Sequence, residues 1–237
     1  LAKSRAVGLT RRYQQIGAGL QVTPNASKLL QRWGLSESLW ASVAKPKSLN
    51  IRRYSDGKVL YGEQDFGNEM QRKYGAPFAN IHRVDLQKAL YERARELGVD
   101  FRFGQRIVDA DISNRRVTST DGESFEGDLI IGADGLWSTC REALLGKQDK
   151  PKATGDLVYR IILCADDIAE QDLKERVTNP EINFWFGPDS HAVSYSVRAG
   201  TMINIVLICP DDLPAEVSRQ EGSCDELRAL FSTWDPT

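Results

Sequence analysis

A mixed α/β chain that passes into an antiparallel β-sheet is the fold class predicted by three features of these 237 residues. The first is a short apolar run, Leu129-Ile130-Ile131, which stops at Gly132 and Gly135 and leads into a helix-forming stretch. That is the pattern of a buried strand, covered on both faces, turning into a helix. The second is a helix with Asp85 as its N-cap, Leu86, Ala89, Leu90, Ala94 and Leu97 on one face, and Gly98 at its end. The third is a change of character after Gly146. A polar, proline-containing hinge over residues 147–152 gives way to alternating strands at residues 156–164, 181–187, 192–198 and 202–209.

Composition limits the function classes. A chain of 237 residues with 41% hydrophobic content can bury one large core or two small ones. A net charge of −2 gives no case for a nucleic-acid or membrane surface held by bulk electrostatics. Cys140, Cys164, Cys209 and Cys224 are scattered, with neither a C-x-x-C pair nor zinc spacing, so no metal site is expected. They read as reduced thiols of an intracellular protein, and neither a signal peptide nor a membrane-spanning run is visible. The sequence opens on Leu1 rather than Met and ends at Asp235-Pro236-Thr237, so a fragment of a longer protein is expected.

From the N-terminus, residues 1–12 are rich in Lys and Arg and show no apolar period. In Ile16-Gly17-Ala18-Gly19-Leu20-Gln21, the glycines allow close backbone approach. Thr23 and Pro24 then open a helix that turns Leu29, Leu30 and Trp33 inward and stops at Gly34. Residues 48–61 predict a hairpin turning at Ser55-Asp56-Gly57, and residues 62–77 a loop. Arg83 stands just ahead of the Asp85 cap. Strands follow at residues 99–103, 107–112 and 116–119, with Asp121-Gly122 as a turn. Ser138 or Thr139 can cap the helix after Gly135, Thr139 with Glu142 at capping-box spacing, and Gly146 closes it.

Residues 166–176 read as a polar helix or loop, and Ala199-Gly200 as a hairpin turn. A final helix over residues 223–234 carries a Ser223–Glu226 capping box. Period-2 alternation puts His191, Val193, Tyr195 and Val197 on one strand face. On pattern alone His191 and Tyr195 suit a satisfied core pair; a phenol substrate, however, needs a base of near-neutral pKa, which His supplies.

Asp128-Leu129-Ile130-Ile131-Gly132-Ala133-Asp134-Gly135 with Ser138 and Arg141 resembles the GADGxxSxxR motif of flavin-dependent aromatic hydroxylases, the family of p-hydroxybenzoate and salicylate hydroxylases. Further resemblances run along nearly the whole chain: Gly17-Ala18-Gly19-Leu20-Gln21 with Pro24-Asn25-Ala26, His82-Arg83-Val84-Asp85-Leu86, and the strand from His191 through Tyr195 to Arg198, where Ser196 replaces the usual proline. The resemblance implies an incomplete FAD-binding, Rossmann-like domain of the glutathione-reductase kind plus an antiparallel substrate domain. It assigns residues 1–47 and 78–150 to the first and residues 48–77 and 151–237 to the second.

It also implies FAD as cofactor, held by Arg83, Asp134, Gly17, Gly19 and Gln21, with Ile107 giving a backbone contact to adenine. His191 and Tyr195 would face the substrate. The reaction implied is hydroxylation of a phenolic or aromatic carboxylate substrate with NAD(P)H and O2, through a flavin C4a-hydroperoxide. Two departures stand out. Ala2 occupies the place of a ribose-binding acid, and neither a G-x-G-x-x-G turn nor a G-D-A-A-H-like motif is present. A truncated, non-catalytic product is therefore one alternative; an epoxidase or decarboxylating relative is another.

Overall fold

The computed structural model describes residues 4–8, 18–214, 217 and 220–236. In chain order come β1 (Arg5–Gly8), β2 (Gly19–Val22), α1 (Pro24–Arg32), α2 (Glu37–Ser42), β3 (Ser48–Arg53), β4 (Val59–Gln64), α3 (Phe66–Tyr74) and β5 (Ala79–His82). Next are α4 (Arg83–Glu96), β6 (Asp100–Phe103), β7 (Ile107–Asp111), β8 (Arg116–Ser119), β9 (Ser124–Glu126) and α5 (Thr139–Leu145). The rest are β10 (Asp156–Cys164), α6 (Gln171–Thr178), β11 (Glu181–Gly187), β12 (Ser190–Val197), β13 (Met202–Pro210) and α7 (Cys224–Leu230). By packing, the chain divides into two compact units, residues 1–15 with 90–154 and residues 16–89 with 155–237.

The larger unit is built on a six-stranded sheet in the order β10-β13-β12-β11-β3-β4. All its pairings are antiparallel except β11 with β3, which is parallel. The expected hairpin therefore forms, with Gly57 at φ +65° in its turn, and it joins the same sheet as the strands after Gly155. β12 is buried from Ala192 to Val197, so neighbours cover both its faces. Phe66, Phe78, Ile182, Val193, Tyr195 and Val197 fill one core. A second core lies over the β2–β5 ribbon, where Val22, Leu30, Leu39, Ala79, Ile81 and Ala89 meet. Each valine, leucine, isoleucine or phenylalanine side chain so buried contributes about 1.5–3 kcal/mol.

Several expectations are corrected in this unit. Residues 62–77 are not a loop: β4 runs on to Gln64 and α3 follows, closed by Gly75 in the left-handed region at φ +68°. Glu69 in its first turn and Arg72 and Lys73 in its last complement the helix dipole, which is the signal that was there to read. In α1 only Leu30 of the three expected apolar residues is buried; Leu29 and Trp33 are about half exposed. Asp85 is not an N-cap. β5 runs straight into α4 at Arg83, and Asp85 lies in the first turn, where both its oxygens accept from Arg198, at 2.9 and 3.0 Å. A carboxylate held by a guanidinium fork is not available as a cap.

In the smaller unit β1 and β6 form a parallel pair, with Arg5 opposite Asp100 and their side chains 3.0 Å apart. The Lys/Arg-rich start thus contains a strand that its composition did not reveal, because its order comes from a partner some ninety residues away. β7, β8 and β9 make an antiparallel sheet. The central correction is at residues 129–131, which form no strand. Leu129 and Ile131 are 76% and 80% exposed, and Leu136 and Trp137 beside them are also open. A buried parallel strand needs a ladder partner on each side. None pairs with this run among the described residues.

Because these side chains lie in solvent, replacing Leu129 and Ile131 together by lysine in residues 1–237 should leave stability within about 0.5 kcal/mol. It should also reduce binding of an apolar fluorescent dye. Denaturant unfolding and dye titration check both; a large loss of stability would mean that the run is buried in solution.

Candidate functional site

The glycine turn and Arg83 are brought together by the β2–β5 ribbon. Gly19 is paired with His82 and Gln21 with Asn80, so these four share the face opposite the Leu20, Val22, Ala79 and Ile81 core. The Arg83 N–H donates to the Ala18 carbonyl at 3.1 Å, which ties the first residue of α4 to the turn. The Arg83 side chain is exposed and forms no ion pair among the described residues. Gln21 is half-buried, and Gly17 lies outside the described residues. Gly19 is wedged: a Cβ there would stand 2.5 Å from Cε2 and 2.9 Å from the hydroxyl of Tyr195.

Asp134 closes a self-contained turn. Its carboxylate accepts from the Ser138 hydroxyl and from the Cys140 N–H, the latter at 3.0 Å. Ser138, not Thr139, is the N-cap of α5, and its oxygen accepts from the Arg141 N–H at 3.0 Å. The Arg141 guanidinium donates to the Leu136 carbonyl at 2.9 Å and the Asp149 carboxylate at 2.7 Å. Partial burial raises the Asp134 carboxyl pKa, but the donors from Ser138 and Cys140 outweigh it and the net shift is downward. The same carboxylate, after burial, pushes the Cys140 thiol up. Gly132 and Gly135 are both required: a Cβ at 132 would meet Cys140 at 2.8 Å, and Gly135 sits at φ +75°.

His191 and Tyr195 lie on β12 about 13 Å apart, as four residues of strand require. Val193 stands between them and belongs to the core with Tyr195. His191 is half-buried, its ring 6.0 Å from that of Phe186. Tyr195 is 6% exposed, and burial pushes its phenol up to about 12, against the opposing pull of Arg160 and Arg83. Ile107 opens β7 opposite Ser119 and is half-buried. Ala2 lies outside the described residues.

Residues 10–233 match the family model described as FAD binding domain. The chain belongs to the FAD-binding-domain family. It is 44% identical over 229 residues to the FAD-dependent monooxygenase OpS4 of Beauveria bassiana, a match covering 94% of this chain and 53% of that protein. It is 32% identical to a 3-hydroxybenzoate 6-hydroxylase of Klebsiella oxytoca, over 94% of this chain and 55% of that one. Among solved structures, CtdE in complex with FAD and a substrate superposes with a TM-score of 0.83 at 21% identity, covering 98% of this chain and 57% of CtdE. Klebsiella pneumoniae HpxO, complexed with FAD and uric acid, gives 0.79 at 20% identity, over 97% and 56%. At such identities the structures share the fold. The chain spans about half the length of the relatives it matches.

The family's cofactor is FAD, and Arg83 in the larger unit fits such a group. Arg83 offers a rigid, always-charged donor suited to phosphate or ring-edge oxygens. The ribbon beside it carries Gly19, whose lack of a Cβ lets the Tyr195 ring pack directly on the backbone. Some polar residues of this region were not foreseen. Asn204 interrupts the apolar run of β13, and a lone amide in such a strand is the signal that marks it. Its Oδ1 accepts from the Gly19 N–H at 2.9 Å. Asn80 is fully buried, with both side-chain polar atoms lacking a hydrogen-bond partner among the described residues.

His82 is 7% exposed, and its Nδ1 likewise has no partner among the described residues. Burial lowers its pKa; the positive Arg198 and Arg83 add to the shift, and Asp85 opposes it. The unfolded state therefore takes up the proton first. Stability from neutral His82 is fully present above the ordinary histidine value of about 6.5 and declines as pH falls toward the lowered folded value. Denaturant midpoints measured from pH 7 to pH 5 should fall, and His82→Gln should lose that part of the slope. An unchanged slope in the variant would assign the effect to other groups.

Proposed function

We propose that this chain supplies the cofactor-holding and substrate-facing parts of an NAD(P)H-driven monooxygenase that hydroxylates a phenolic or aromatic carboxylate ring. The observation that carries the reading is Arg83: an exposed guanidinium with no ion pair among the described residues, locked by its own N–H to the glycine turn of a family whose model is an FAD binding domain. Residues 1–47 and 78–150 form the FAD-binding portion in this reading, and residues 48–77 and 151–237 the substrate portion. This functional division differs from the packing division. Relatives named as 3-hydroxybenzoate 6-hydroxylases and 3-amino-4-hydroxybenzoate 2-monooxygenases support a small hydroxylated benzoate as the substrate class.

FAD, when bound, supplies hydride acceptance from NAD(P)H and activation of O2. The protein's own residues do the rest. Arg83 neutralises and orients an anionic or carbonyl edge of the cofactor. By the family resemblance Gly17, Gly19 and Gln21 would lie beside the flavin, Asp134 with its motif would help hold FAD, and Ile107 would give adenine a backbone contact. His191 takes the proton of the phenol at a ring nitrogen, which raises the electron density of the ring to be attacked. Tyr195 walls the site with an uncharged phenol, since its pKa of about 12 keeps the proton on at neutral pH.

In the complete gene product, Arg83→Ala should weaken FAD binding by about ten- to a hundredfold, the loss of a hydrogen bond from a charged donor. Gln87→Ala, one turn further along α4 and exposed, should leave it unchanged. Equal flavin retention in both variants would remove Arg83 from the cofactor site. His191→Ala should slow hydroxylation by about 10²–10⁴-fold with flavin content preserved. Substrate-dependent NAD(P)H oxidation with product analysis tests this and the reaction class together. Unchanged turnover returns His191 to a packing role; an epoxide product, or a new ring hydroxyl formed with loss of the carboxyl group as CO2, points to the epoxidase or decarboxylating chemistry instead.

A further inference from the structure

Tyr195 and Asn204 are directly opposite on adjacent strands in the β12–β13 register, and both pack on Gly19, where the Asn204 Cβ also lies 3.0 Å from the Cβ position. Tyr195 brings its ring edge to the position a Cβ would occupy, and Asn204 brings an acceptor to the Gly19 N–H at 2.9 Å. The bond is buried and joins residues 185 positions apart in the chain. Asn204 has no exposed surface, and its Nδ2 makes no hydrogen bond among the described residues. The carbonyl end of this amide is therefore the end in use. One residue before Gly19, the Ala18 carbonyl receives the Arg83 N–H, so whatever fixes Gly19 also fixes where α4 begins.

We propose that Asn204 is a positioning residue which, with the Tyr195 ring, forms a seat that only glycine at position 19 can occupy and that sets the location of Arg83. The seat carries the geometry of the substrate-facing sheet to the cofactor-side turn, and a shift of β12 or β13 moves Arg83 with it. Tyr195 acts here through the shape of its ring, and its proton plays no part. The link to cofactor binding rests on the assignment of Arg83 to FAD made above; the seat itself does not.

The test uses the whole protein with five variants: Asn204→Leu, Asn204→Asp, Gly19→Ala, Tyr195→Val, and Gly19→Ala combined with Tyr195→Val. Backbone amide exchange at Gly19 and Arg83 is measured without flavin, and FAD affinity by fluorescence titration. Asn204→Leu removes the acceptor at similar volume and should speed Gly19 exchange at least about tenfold. Asn204→Asp keeps the one side-chain bond the asparagine makes among the described residues and should hold Gly19 exchange closer to wild type than Asn204→Leu does. Gly19→Ala should loosen both amides, and adding Tyr195→Val should recover most of the loss, a coupling that independent sites do not show.

FAD affinity should follow exchange across the set, falling about tenfold in Asn204→Leu and Gly19→Ala. Unchanged Gly19 exchange in Asn204→Leu, with Gly19→Ala tolerated without the second substitution, overturns the seat. Should Asn204→Leu fail to fold, the Gly19–Tyr195 cycle decides alone. Exchange that responds while FAD affinity stays constant overturns the positioning of Arg83. A wild-type protein that takes up no FAD defeats the cofactor reading, while exchange still decides for or against the seat.

Discussion

The Tyr195 ring stands where a side chain on residue 19 would be, and much of the larger unit follows from that steric fact. Glycine at 19 lets β2 lie close against β12, which in turn brings the Gly19 N–H to Asn204 and the Ala18 carbonyl to Arg83. The ribbon has one apolar face over its own core and one polar face of Gly19, Gln21, Asn80 and His82 toward the sheet. The Asp85–Arg198 pair clamps the start of α4 to the end of β12 by a two-pronged bond. Arg198 and Ala199 both take left-handed backbone conformations ahead of Gly200, a cost of about 1–3 kcal/mol each that the surrounding contacts sustain.

The Asp134 turn solves a different problem in a different way. Asp134, Gly135, Ser138 and Arg141 hold one another through hydrogen bonds that need no other part of the fold. A motif of this kind keeps its shape even where the apolar run before it is unpaired, and its spacing is legible in sequence because every partner lies within eight residues. Its apolar neighbours do depend on distant partners, and they are the part that departs from expectation.

That contrast describes how the rest of the fold could be read. The strands after Gly155 and the 48–61 hairpin were visible because alternation and turn residues are local signals, and the Ser223 cap of α7 for the same reason. The helix over Phe66–Tyr74 was hidden by its glycines and by an N-cap, Asp65, in the left-handed region. Asp85 looked like a cap because nothing near it in sequence announces Arg198, 113 residues away. For the candidate site, Arg83 and Asp134 were legible as motif members, and the structure supplies the geometry of each within its own unit. Asn204 and Asn80 were not legible, since a buried amide takes its meaning from the backbone it faces.

The parallel pairing of β3 with β11 has a consequence for synthesis. Ser48 pairs with Glu181 and Arg53 with Phe186, so the β3–β4 hairpin leaves the ribosome well over a hundred residues ahead of its neighbour. At about 5–20 residues per second the wait is roughly seven to twenty-five seconds. Throughout that interval one edge of β3 is bare, and Val59, Leu60 and Tyr61 of the outer strand stay exposed even in the finished sheet. The larger unit is thus committed to finishing after most of its chain exists, and until then the nascent hairpin carries a bare edge.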